Sequence, residues 1–232
     1  MSTIVGYSDN GAIWRTTSGI FSSNAYFCEL GKGKEGILID PGLDAEAIDA
    51  ALMANNQIPV GIVCTHGHFD HAGSASFFQK KYGIKVYIPE NDEKLFKASN
   101  FLLMAFKIPA KVLFPKEVTY IKSGSDIEVG GVRLYFRSTP GHTPGSCIIQ
   151  LGSAWFTGDT IYSQGVGLSK LPGENHDQLR ASLLDLWEDL TKDVVIYPGH
   201  GNTANGDMVK NENKALIQFM EVSDATSRKP TE

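Results

Sequence analysis

Within Thr65-His66-Gly67-His68-Phe69-Asp70-His71, four side chains able to bind a metal crowd into six positions, directly after the apolar run Ile58–Cys64. The run reads as a buried strand and the stretch from Ala72 to Lys81 as a helix, so the cluster occupies a strand-to-helix loop. Residues two apart in extended chain face the same way, which predicts His66, His68 and Asp70 on one side. His71 falls where the chain turns into the helix and points back at the same spot. Two imidazoles plus a carboxylate–imidazole pair supply most of the ligands for two divalent ions. A metal site is therefore the strongest constraint on what this chain folds into.

The sequence holds six histidines, and five of them fit that constraint. His142 lies in Thr139-Pro140-Gly141-His142-Thr143-Pro144-Gly145 and His200 in Tyr197-Pro198-Gly199-His200-Gly201, while His176 is left without a role. A further acid, Asp159, follows the apolar stretch Ala154-Trp155-Phe156. Each of these turns comes at the carboxyl end of an expected strand, where α/β folds gather their functional loops. Taken singly, His142 and His200 read as ordinary turn residues and Asp159 as an Asx turn or helix cap. Taken with the cluster, they read as its remaining ligands. Asp40 ends the strand Leu38-Ile39 before Pro41-Gly42. It reads either as a cap for the helix beginning near Asp44 or as an acceptor behind the histidine loop that fixes an imidazole tautomer.

This pattern resembles the metallo-β-lactamase superfamily, whose signature is His-x-His-x-Asp-His followed by a later His, Asp and His. The resemblance runs from the strand ending at Asp40 to the turn at His200. It implies an αββα four-layer sandwich of two mixed β-sheets with helices on the outer faces. It also implies that His66, His68 and His142 hold one metal, that Asp70, His71 and His200 hold a second, and that Asp159 bridges them. The second role of Asp40, behind the ligands, is what the family supports. Within the superfamily, Thr-Pro-Gly-His-Thr-Pro-Gly-Ser at 139–146 and the Pro-Gly-His-Gly turn are similar to small glyoxalase II-like hydrolases. An aspartate stands at 159, where β-lactamases of the best-known subclass carry cysteine. Full-length glyoxalase II enzymes have Gly-His-Glu-Tyr at the last histidine, whereas this chain reads Gly199-His200-Gly201-Asn202.

Composition narrows the partners. A chain of 232 residues is long enough for one large core, and the reading is one domain over 1–222 with a frayed tail at 223–232. Net charge is −5 without a lysine- or arginine-rich tract, which argues against nucleic acid. The first ten residues lack a basic stretch followed by an apolar core, and no run of about 18 apolar residues exists to span a membrane. The odd cysteine count, Cys28, Cys64 and Cys147, fits buried, reduced thiols and a cytoplasmic location. A redox or ligand role for Cys64 is the alternative to its burial.

Periodicity predicts adjacent strands at 24–30 and 36–40, a helix over 44–55, a β-α-β unit over 58–88, strands at 117–121, 126–129 and 132–137, and a hairpin turning at Gly152. A helix over 177–190, a short strand at 194–197 and a last helix from about Asp207 to Val222 complete the list. Segment 100–115 is unusually apolar and reads as packing or a homodimer contact on one side, and as a lid on the other. The glycine-rich stretch 165–173 reads as another wall of the cleft.

The leading function is a dinuclear hydrolase, with two divalent ions sharing one water whose pKa falls towards roughly 7. Zinc is the expected ion, with iron or manganese as alternatives. Asp70 would bind metal and hold the attacking oxygen, and no Gly-x-Ser-x-Gly elbow offers a rival nucleophile. The substrate class is a small-molecule thioester, ester or lactone. The competing readings are a mononuclear iron persulfide dioxygenase, a lactonase or β-lactamase-like hydrolase, and a non-catalytic metal-stabilised binding protein.

Overall fold

Alternation along the strands explains the layering. The structure, a computed structural model, describes residues 2–31, 33–169 and 171–221. In strand β3 (Ser23–Glu29), Ala25 and Phe27 enter one apolar cluster and Tyr26 and Cys28 another. Strand β4 (Glu35–Ile39) repeats this with Leu38 against Ile37 and Ile39, and β5 (Ile58–Val63) with Ile62 against Val63. Strands whose two faces are both buried must lie in a sheet covered on both sides.

That sheet has seven strands in chain order: β1 (Thr3–Ser8), β2 (Gly11–Ser18), β3, β4, β5, β6 (Val86–Pro89) and β7 (Thr119–Ile121). It is antiparallel up to β4 and parallel beyond it. The second sheet contains β8 (Asp126–Val129), β9 (Val132–Ser138), β10 (Cys147–Leu151), β11 (Ala154–Gly158), β12 (Val195–Pro198) and β13 (Ala204–Asn205), ordered β13-β12-β11-β10-β9-β8. Only its β11–β12 pair is parallel. Ile37, Ile39 and Val63 of the first sheet meet Phe136, Ile149 and Phe156 of the second in the central layer.

Helices close the outer faces. On the first sheet lie α1 (Ala45–Ala54), the single turn α2 (Phe69–Ala72), α3 (Ala75–Tyr82), α4 (Glu93–Lys97) and α5 (Ser99–Ala105). Ile48, Leu52, Phe78 and Phe96 pack there against Leu38 and Ile62. On the second lie α6 (His176–Leu186), α7 (Gly206–Glu212) and α8 (Lys214–Glu221), with Leu179, Leu183 and Leu216 against Ile148 and Trp155. The expected four-layer αββα sandwich of two mixed sheets is what the chain forms.

Several local expectations need correction. The β1–β2 hairpin was not anticipated because it lies at the sheet edge, with Ile4 and Tyr7 exposed, so no apolar period marks β1. The helix expected over 72–81 begins earlier and breaks at Gly73. A Cβ there would lie 2.3 Å from the Phe69 carbonyl oxygen and 2.6 Å from Leu43. The helix expected over 177–190 ends at Leu186 and continues as a 3-10 turn, Trp187–Asp189. The last helix divides at Asn213, whose buried amide donates to the carbonyls of Tyr162 and Gly165 and accepts from the Gly165 N–H. The tail expected over 223–232 lies outside the described residues. No helix among the described residues is long and apolar enough to cross a membrane.

Candidate metal centre

The loops that follow β4, β5, β9, β11 and β12 converge at one edge of the two sheets and bring all seven expected ligand residues together. Three groups form there: His66, His68 and His142; Asp70, His71 and His200; and His66, His71 and Asp159. In each, one donor atom per residue lies within 4.8 Å of the others. Asp159 links the first two groups: its Oδ1 is 3.3 Å from His71 Nε2, and its Oδ2 is 3.5 Å from both His142 Nε2 and His200 Nε2. The loop differs from its expected shape at one point. Asp70 does not share extended chain with His66 and His68; His68 is the last extended residue, at the N-cap position of α2, and Asp70 and His71 are neighbours on that turn. The helical start swings Asp70 to the group that contains His200, where their side chains lie 3.5 Å apart.

Asp40 sets the tautomers. It sits at φ +49°, a left-handed conformation uncommon for a residue with a side chain. From there it accepts the Thr65 N–H at 2.8 Å and the Thr65 hydroxyl at 2.7 Å. The Thr65 oxygen, its own proton so committed, accepts from His66 Nδ1 at 3.0 Å, and Asp40 itself accepts from His71 Nδ1 at 3.1 Å. His142 Nδ1 donates to the Gly167 carbonyl at 3.0 Å. In His66 and His142 the proton is thereby held on Nδ1 and Nε2 keeps its lone pair for the site, whereas His71, whose Nε2 faces the Asp70 and Asp159 carboxylates, is drawn toward its protonated form. The helix-cap reading of Asp40 is corrected, since Asp44 caps α1 by accepting from Ala47 N–H.

The donor set suits divalent metal. Nε2 of His66, His68 and His71 and Oδ1 of Asp159 are buried without a hydrogen-bond partner. Such groups cost on the order of 1–3 kcal/mol each when nothing satisfies them, and divalent cations held by the three donor groups would satisfy them. Electrostatics point the same way. Burial holds the His66 imidazole well below its ordinary range and His68 down to about 3, so both stay neutral. Burial also opposes charge on Asp70 and Asp159, but the facing His71, with His200, holds both carboxyls below their usual range. Burial would lower His200, yet its bonds to Asp159 and Asp70 raise it to about 9.

A cleft of about 590 Å³ opens over these residues. His68, Asp70, His142, Asp159 and His200 form its floor, and Ile20, Phe21, Phe106, Ile108, Leu168 and Leu171 line its walls. Segment 100–115 is divided in role: Leu102, Leu103 and Val112 are core, while Phe106 and Ile108 face the cleft. The 165–173 stretch contributes Leu168, Ser169 and Leu171, so it is a wall as expected. Tyr162, Thr65, Asp92 and the Ile20–Phe21 turn went unforeseen. Tyr162 stands three residues past Asp159, and burial together with that carboxylate keeps its phenol protonated. Cys28, Cys64 and Cys147 are all buried, and burial pushes their thiols up.

Comparison with known proteins agrees with this architecture. Residues 18–200 match the family described as the metallo-β-lactamase superfamily. The chain is 27% identical over 186 residues to hydroxyacylglutathione hydrolase GloC of Haemophilus influenzae, covering 79% of this chain and 88% of that protein. Among solved structures, it is similar to the B3 metallo-β-lactamase BLEG-1, with TM-score 0.79 and 26% identity over 88% of this chain and 99% of the other. It is also similar to TTHA1623 in a di-iron-bound form, with TM-score 0.77 and 29% identity over 86% and 98% of the two chains.

Proposed function

The chain belongs to the metallo-β-lactamase superfamily, and on that premise we propose that it is a dinuclear metal-dependent hydrolase of small, largely apolar thioesters. His66, His68 and His142 would hold one ion, Asp70, His71 and His200 the other, and Asp159 would lie between them. The observation that carries this reading is the contact of Asp159 with members of both groups at the floor of a single open cleft. Bound there, divalent metal supplies Lewis acidity and a water acidified towards roughly pKa 7.

The chain's own residues then account for the rest. Asp70, ionised and facing the cleft, accepts a hydrogen bond from the attacking water and holds it in line with a carbonyl above the floor. Tyr162, kept protonated and hydrogen-bonded to Asp159, steadies that carboxylate beside the cleft. The apolar walls exclude water and receive an acyl chain. No lysine or arginine lines the cleft among the described residues, which favours an apolar acyl group over a polyphosphate as its occupant. Thioesters suit it because the thiolate leaves readily, and hydroxyacylglutathione hydrolase GloC is among the chain's relatives. Zinc is the proposed ion, and the di-iron form of TTHA1623 makes iron its competitor.

Two measurements test this. Elemental analysis of natively purified protein should find close to two ions per chain. A kinetic panel on the metal-replete protein should give S-acyl thioesters a higher kcat/KM than lactones, β-lactams or phosphodiesters. A lactone or β-lactam in first place would overturn the substrate while leaving the metal site standing. Oxygen consumption with a persulfide, and no hydrolysis of any of the four, would overturn the hydrolase reading.

A further inference from the structure

Asp92 is fully buried, lies outside the seven ligand residues, and makes every one of its side-chain hydrogen bonds to the loops that carry the histidines. It follows β6 in a 3-10 turn, Glu90–Asp92, and occupies the N-cap position of α4. An aspartate at that position ordinarily accepts from the first N–H groups of its own helix. Here the side chain caps nothing in α4. Its Oδ2 instead accepts the Gly67 N–H at 2.8 Å and the Thr143 hydroxyl at 2.7 Å, and its Oδ1 accepts the Gly145 N–H at 2.7 Å.

The placement of these three donors is informative. Gly67 lies between His66 and His68, and Thr143 directly follows His142. One carboxylate therefore spans the β5 loop and the β9 loop at the residues adjoining all three histidines of the first group. The glycines permit this approach. A Cβ on Gly67 would fall 2.8 Å from Asp92 Cβ, and one on Gly145 would fall 2.6 Å from Asp92 Cγ. The second group has anchors that Asp92 does not touch: Asp40, which also reaches His66 through Thr65, holds His71, and the Asn24 amide and Tyr26 hydroxyl bond the Pro198 carbonyl beneath the His200 turn.

The structure assigns Asp92 as a positioning residue that sets the spacing of the His66–His68–His142 group and not that of Asp70–His71–His200. This inference rests on the proposed two-ion site, and it goes beyond it by giving the first half a support that the second does not share. Replacing Asp92 by Asn keeps the volume but turns an N–H toward one of the donors, so one bond across the two loops becomes a repulsion.

The test is a Zn2+ titration of chelator-stripped full-length protein by calorimetry, comparing wild type, Asp92→Asn, His200→Ala and the double variant. Asp92→Asn is expected to weaken one binding step by about 10- to 100-fold, the range typical for supports behind metal ligands. His200→Ala should weaken the other step, and the double variant both. If Asp92→Asn lowers the melting temperature while leaving both steps unchanged, or weakens both equally, or weakens the step that His200→Ala weakens, the assignment is wrong. Should Asp92→Asn fail to fold, Thr143→Val removes one of the three bonds at nearly constant volume and is expected to weaken the same step about fivefold. An unchanged titration for that variant would also overturn the assignment. Wild-type protein that takes up a single ion refutes the two-ion reading alone, because Asp92 is still judged by whether that step weakens. Wild type that binds no Zn2+ refutes both.

Discussion

At and beneath the floor of the cleft, His66, His71 and His142 each have Nδ1 committed to a named acceptor, and Thr65, the acceptor for His66, is itself tied to Asp40. On its walls, Ile20 is 70% exposed and Phe106 51%, and contacts there are apolar and few, such as Phe21 against Phe69. The floor draws on strand ends of both sheets; the walls come from the β2–β3 turn, the segment after α5 and the stretch after β11. A reaction centre requires donors fixed to fractions of an ångström, which buried hydrogen bonds provide. A binding wall needs only apolar area of suitable shape, which exposed side chains on connecting segments provide. The contrast teaches that chemistry and substrate choice are separable in this molecule. It predicts that floor variants act on turnover and wall variants on binding.

The largest effect should come from the floor. Asp70→Asn keeps the shape of the side chain but loses the charge that faces His71 and His200. We expect kcat to fall by at least ~10² in the metal-replete protein, with a smaller change in KM. Steady-state kinetics on a thioester checks this. Near-normal turnover would remove the carboxylate from the chemistry and break the contrast at its strongest point.

The next effect concerns pH and is read in the presence of chelator. His66 and His68 have folded pKa values below the ordinary 6.5, so they contribute stability above that pH and lose it as pH falls toward about 3. Asp70 and Asp159, also depressed, add stability above their ordinary 3.8 that is lost as pH falls further. His71 and His200 are raised, so their contribution is complete below 6.5 and is lost as pH climbs, for His200 through about 9. The melting temperature should therefore peak near pH 6.5. The alkaline loss from His200, raised from 6.5 to about 9, is on the order of 3 kcal/mol, and His200→Gln should flatten it. A melting temperature that rises steadily to pH 9 would show that the floor is not organised by these charges.

The same contrast explains what the sequence made legible. Metal donors are few in kind and occur at fixed spacings, so His66, His68, Asp70, His71, His142, Asp159 and His200 could be picked out, and the structure brings them together. The strands from β3 to β12 were legible because burial on one or both faces leaves a period, whereas the two-residue β13 is too short to show one. The edge strand β1 left none. Asp92 was hidden because its sequence context, an acid before Glu93-Lys94-Leu95, is that of a plain helix cap; only its distance to Gly67 and Gly145 reveals its work. Ile20, Phe21 and Tyr162 were hidden for a related reason. Nothing in a turn's composition says which cleft its tip will reach.

The smallest effect should come from the walls, and it is the sharpest test of separability. Phe106 is half exposed, so a substrate covering it recovers only part of the roughly 1.5–3 kcal/mol available from burying a phenylalanine. Phe106→Ser should accordingly raise KM for a long-chain acyl thioester about fivefold and leave kcat nearly unchanged. The side chain lies beyond the last turn of α5 and contributes little to the core, so the melting temperature should move by less than about 2 °C. A short acyl chain that does not reach the wall supplies the control, with KM unaffected. If instead kcat falls as much as KM rises, or short and long chains respond alike, the wall is positioning the reacting carbonyl as well as binding the chain. Floor and rim would then be one device.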